Sequence, residues 1–139
     1  MPYLTVAHRG LHRFEVNVEG HRLIVDEGMA AGGRDAGPTP TELLAASLAS
    51  CVAAYAESYM SSRGYPTSGL SVSCHYQLST DYPRRVSALD VTVTTAVELA
   101  AEHRKSLMAA VERCMVGNTL RMPPQIHILL VAPEESTVG

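Results

Sequence analysis

The sequence predicts a mixed fold of helices and antiparallel strands, and three observations predict it. Apolar and polar residues alternate with period two near the N-terminus and again between Ser71 and Val97. A long, nearly all-apolar segment with helix-start signals lies between those regions. A second segment, near residues 99–116, carries an apolar stripe at helical spacing. The chain has 139 residues, which is one domain's worth, so residues 1–139 are expected to form a single domain.

The elements follow in order. Phe14, Val16 and Val18 alternate with Glu15, Asn17 and Glu19, and Leu23 and Val25 resume the pattern after a turn at Gly20. Gly28 to Pro38 is a glycine-rich loop without the Gly-Lys-Ser/Thr ending of a phosphate-binding loop. Thr39, Pro40 and Glu42 then open a helix, because threonine at the cap with glutamate three residues on makes a capping box. This helix is expected to run to about Arg63, before Gly64 and Pro66. It is apolar nearly all round, which predicts a central, buried position.

Val72, Cys74, Tyr76 and Leu78 form one face of a strand, with Ser71, Ser73, His75 and Gln77 on the other. After Asp81-Tyr82-Pro83 a second strand alternates from Val86 to Val97. A second helix is expected from Leu99 to about Val116, stopped by Gly117, with Leu107, Ala110, Val111 and Cys114 on its apolar stripe. A last strand is expected over Ile126 to Val131.

Composition excludes several classes of function. The 46% of apolar and 18% of charged residues argue against a disordered chain. A net charge of −3 provides no basic footprint, so no nucleic acid is expected as a partner. The start lacks a signal-peptide pattern and the apolar run Leu43 to Ala56 is short of the ~20 residues that span a bilayer, so no membrane partner and a cytoplasmic location are expected. With one Phe and no Trp, core side chains are small, and a core shared with a second copy would add burial.

Three cysteines cannot form a closed set of bridges. Cys51 lies in the middle of the first helix and Cys114 near the end of the second. They read either as small buried hydrophobes or as a redox pair in which one thiolate meets an oxidant and the other resolves the product. Cys74, on the apolar face of its strand, reads as packing. No Lys, Arg or His occurs between Pro40 and Ser62, so a cation for a reactive Cys51 must come from another segment or another chain. Arg9, Arg13, Arg34, Arg84 and Arg85 are candidates. Ser47 and Tyr55 lie four residues to either side of Cys51 and share its face. Glu42 is a possible supporting carboxylate, but its nine-residue offset from Cys51 points it to the far side of an ideal helix, and the capping box accounts for it. The six histidines show no metal-site spacing, and no metal is expected.

The run Gly37-Pro38-Thr39-Pro40-Thr41-Glu42-Leu43-Leu44-Ala45-Ala46-Ser47-Leu48-Ala49-Ser50-Cys51 resembles the first cysteine motif of the OsmC/Ohr family of osmotically induced and organic hydroperoxide resistance proteins. Cys114-Met115-Val116-Gly117-Asn118-Thr119-Leu120 resembles its second. The resemblance covers nearly the whole chain. It implies an α+β fold with antiparallel sheets wrapped around two central helices in an intertwined homodimer, with active sites at the interface.

It further implies a cysteine-based thiol peroxidase that reduces organic hydroperoxides. Cys51 would become a sulfenic acid and Cys114 would close a disulfide on it. A dithiol or a lipoyl-bearing protein would act as reductant, with no cofactor. Two features differ from the peroxidase members. The carboxylate they carry ten residues before the first cysteine is Thr41 here, with Glu42 one position later, and the second motif reads Cys-Met-Val-Gly where Cys-Pro-Val is frequent. The missing carboxylate at Thr41 and the lack of a cation near Cys51 motivate an alternative, a dimeric stress-associated binding protein for a small hydrophobic ligand, without efficient peroxidase activity.

Overall fold

A computed structural model describes residues 3–134. Strands β1 (Leu4–His8), β2 (Phe14–Val18) and β3 (His21–Val25) form an antiparallel sheet in the order β1-β2-β3. Val6 pairs with Val16, and Val16 with Leu23. The β2–β3 loop is only Glu19 and Gly20, both at positive φ (47° and 87°), the turn whose twist matches that of a hairpin. The predicted loop follows, with a single 3-10 turn at Met29–Ala31. It is organised around Asp26, a buried carboxylate that accepts hydrogen bonds from the backbone N–H groups of Glu27, Arg34 and Ala36 at 2.8, 3.1 and 3.1 Å.

Helix α1 (Pro40–Ser62) begins and ends as the sequence predicts. The Glu42 N–H donates to the Thr39 hydroxyl at 3.1 Å, and the Thr39 N–H donates to the Glu42 carboxylate at 3.0 Å. Helix α1 is long and apolar enough to cross a membrane by length and composition, but its buried side packs as a core helix does. Leu48, Val52, Ala56 and Met60, four residues apart, make one ridge. That ridge meets Val72 of β4 (Ser71–Leu78) and Leu89, Val91 and Val93 of β5 (Val86–Thr94), an antiparallel pair with Val72 opposite Val93. Leu107 and Val111 of helix α2 (Ala101–Val111) close the core.

Three expectations are corrected. Helix α1 is not buried all round: Leu44, Ser47, Ala54, Tyr55 and Ser58 are exposed, because the neighbours in this chain cover only one face. Within one chain, the sheet that packs on the helices is the β4–β5 pair. The β1–β3 sheet packs on no helix to any extent, and Leu4 and Val6 remain more than half exposed. The predicted second helix is two helices. Helix α2 stops at Val111, Cys114 adopts an extended conformation (φ −64°, ψ 143°), and α3 (Met115–Arg121) starts after it with Gly117 inside rather than as a stop.

Finally, no strand forms over Ile126 to Val131. A strand needs a paired backbone, and no edge of this chain reaches the segment. Its apolar side chains Ile126, Ile128, Leu129, Leu130 and Val131 are 78–93% exposed.

Candidate functional site

The helix break decides what surrounds the cysteines. Cys51, half-buried at the edge of the α1 ridge, packs against the core cluster that contains Cys114. The two thiols, 63 residues apart in sequence, thus belong to one side-chain cluster. Ser47 and Tyr55, one turn to either side of Cys51, are exposed.

Cys114 is buried and caps α3. Its Sγ accepts the Gly117 N–H at 3.3 Å, where a serine or aspartate oxygen would ordinarily sit. Burial pushes the Cys114 thiol up from its ordinary value, and the neighbouring Cys51 pushes it the same way. The Gly117 N–H and the charge of Arg121 act in the opposite direction without cancelling the rise.

Arg121, which the sequence reading did not consider, is a cation near Cys114 rather than the partner sought for Cys51. It ends α3, seven residues after Cys114 and four after Gly117, and helical spacing brings these positions to one side. Reading Gly117 as a helix stop hid that relation. Arg121 is held by Glu112, donating to its carboxylate at 2.9 Å and to its carbonyl at 3.3 Å. Cys114, Gly117 and Arg121 line one end of a cavity of about 530 Å³, whose wall includes Leu48, Val52 and Val91.

The five arginines considered from sequence lie elsewhere. Arg9 pairs with Glu15, which Arg22 also holds; together they keep the Glu15 carboxyl below its usual range, Arg22 contributing more. Arg13 donates to the Arg9 carbonyl. Arg84 donates to the Ser79 carbonyl, and Arg85 pairs with Asp81 at 3.0 Å. None of the five, Arg34 included, lines the Cys114 cavity. Glu42 is engaged in the cap and lines a separate groove of about 610 Å³ between α1 and β4, together with Cys74. Burial raises the Cys74 thiol, and Asp90 adds to the rise.

Residues 32–128 match the family described as OsmC-like protein. The chain belongs to the OsmC-like family. Its fold resembles that of a Psychrobacter arcticus protein named for the osmotic stress and detoxification response, with 25% identity, a TM-score of 0.78, and 86% of this chain and 88% of that one covered. It also resembles an organic hydroperoxide resistance protein, OsmC, of Legionella pneumophila (19% identity, TM-score 0.64, 87% and 89% covered). A third similar structure is OhrB, the organic hydroperoxide resistance protein of Bacillus subtilis (21%, 0.64, 88% and 92%). No curated protein gives a significant match.

Proposed function

We propose that this OsmC-like chain is a thiol peroxidase for organic hydroperoxides, acting through Cys51 and Cys114. The observation that carries the reading is that these two thiols, from separate elements, share one packed, mostly apolar cluster, Cys51 lying against the core that contains Cys114. Names of similar proteins, given for organic hydroperoxide resistance, agree with it.

Cys51, half-buried, is the more accessible of the two thiols and takes the oxidant; Cys114 is buried and resolves the product. The Cys51 thiolate attacks the peroxide oxygen, the O–O bond breaks, and the alkoxide leaves as an alcohol after taking a proton. The resulting sulfenic acid meets the Cys114 thiolate, a disulfide forms and water leaves. A dithiol, free or on a lipoyl-bearing protein, then restores both thiols by exchange.

A homodimer belongs to the same proposal. The uncovered face of α1, the β1–β3 sheet with no helix beneath it, and the exposed apolar segment from Ile126 to Val131 are three surfaces that a second copy would cover.

The test is rapid mixing of reduced protein with an organic hydroperoxide. Two thiols per chain should be lost, and mass spectrometry should find a Cys51–Cys114 bridge. Cys51→Ser should abolish turnover; Cys114→Ser should leave a trappable sulfenic acid on Cys51. Unchanged turnover in Cys51→Ser would refute the reading.

A second reading, binding of a small hydrophobic ligand, is favoured by the α1–β4 groove, which Ala45, Ala49, Ala53, Leu70 and Val72 line apart from the Cys51–Cys114 pair. Saturable binding of an apolar fluorophore, blocked by Ala49→Trp and unaffected by thiol oxidation, would support it.

A further inference from the structure

We infer that Arg121 is a positioning residue for Cys114: clasped by Glu112, it presents its charge to the buried thiol and favours the thiolate that closes the disulfide. The inference rests on the peroxidase reading for its role in the reaction, and on geometry alone for the contact.

The geometry centres on Gly117. A Cβ at that position would lie 2.9 Å from Cys114 Sγ and 3.1 Å from Arg121 Nη1. Thiol and guanidinium therefore both border the same small volume, and glycine is the residue that leaves it empty. Nη1 also donates to the Glu112 carbonyl at 3.3 Å while Nη2 donates to the Glu112 carboxylate at 2.9 Å. Two-point attachment of this kind holds a planar guanidinium in orientation better than a single contact would. Glu112 lies in the short link between α2 and α3 and Arg121 at the far end of α3, so the clasp ties the ends of the segment that carries Cys114.

The chemistry needs such a group. To attack the Cys51 sulfenic sulfur, Cys114 must give up its proton inside an apolar core, where the charged form is penalised. The S–S bond forms as the S–O bond breaks, and the departing hydroxide takes a proton to leave as water. The groups around Cys114 are Cys51 from α1, Asp90 from β5, Glu112 from the link and Arg121 from α3. Of these, only Arg121 is a cation.

The test uses the full chain. With Cys51→Ser and Cys74→Ser, cysteine-labelled protein reports Cys114 alone, and its ¹³Cβ shift is followed against pH. Arg121→Gln should raise the titration midpoint by roughly half a unit to one unit, as removal of a nearby, partly screened cation does. Arg121→Lys should restore part of the difference. In the chain with all three cysteines, Arg121→Gln should raise the ratio of trapped Cys51 sulfenic acid to disulfide.

A midpoint equal in the parent background and in Arg121→Gln would overturn the inference. Absence of any hydroperoxide-driven bridge in the unsubstituted chain would instead overturn the peroxidase reading, while a shifted midpoint would still establish that the Arg121 charge acts on Cys114.

Discussion

Gly117→Ala is the substitution on which the site's packing can be measured. The added Cβ would lie 2.9 Å from Cys114 Sγ and 3.1 Å from Arg121 Nη1, with Leu48 Cδ1 behind it at 3.7 Å. The first distance is shorter than real side-chain carbons tolerate, so the thiol or the helix must give way. Overpacking of this kind costs about 1–3 kcal/mol, while alanine in place of glycine inside a helix returns about 1 kcal/mol. The net loss of stability should therefore stay below about 2 kcal/mol, readable as a small fall in the urea midpoint with an unchanged slope.

The effect on bridge formation should be larger in kind. Relief by rotation of Cys114 breaks the 3.3 Å bond from the Gly117 N–H and withdraws the thiol from Cys51. A misplacement costing about 1.4 kcal/mol slows disulfide closure roughly tenfold. Rapid-quench alkylation followed by mass spectrometry measures that rate. A variant that loses stability yet closes its disulfide at the parent rate would show that packing at Gly117 does not hold Cys114 in place.

Other predictions address the scaffold. Thr39→Ala removes half of the capping box and should cost about 1 kcal/mol in a denaturant titration; an unchanged midpoint would exclude the cap as a contributor. Asp26 has its carboxyl lowered from 3.8: burial opposes ionisation, but the N–H groups of Ala36, Glu27 and Arg34, and the charge of Arg13, outweigh it. A lowered folded value means that its contribution is present above pH 3.8 and is lost as acid titrates through the folded value. Thermal midpoints should fall in that window, and Asp26→Asn should flatten the dependence. Ile128→Lys with Leu130→Lys puts two charges on one side of the exposed C-terminal segment. If a second copy covers that segment, sedimentation equilibrium should show a dimer weakened at least about tenfold, since each buried side chain of this size contributes about 1.5–3 kcal/mol. A dissociation constant equal to the parent's would place the interface elsewhere.

The legible parts of the sequence were those with local causes. Thr39 and Glu42 announce the start of α1, because the bonds that cap it span three residues. Period-two alternation placed β2, β3 and β4, and the Glu19-Gly20 turn needed only two residues able to take positive φ. The misreadings arose where the deciding contact is remote. Gly117 looks like a helix stop in a one-dimensional pattern, whereas its role is to admit Cys114 Sγ and Arg121 Nη1 from either side. Ile126 to Val131 has the composition of a strand, but composition does not supply an edge to pair with. An apolar circumference on α1 predicted burial all round, and one chain covers only a stripe of it.

By itself, then, the sequence determined the kinds of element, the capped start of α1, the identity of the two cysteines worth watching, and the family likeness of the segments that carry them. Only the tertiary structure decided that Cys51 packs against the cluster holding Cys114, that the helix breaks to make Cys114 a cap, and that Arg121, held by Glu112, is a cation near it. The physical reason is range. Caps, turns and periodicity are settled within a few residues, whereas the environment of a thiol is set by whichever distant side chains the packed core brings against it.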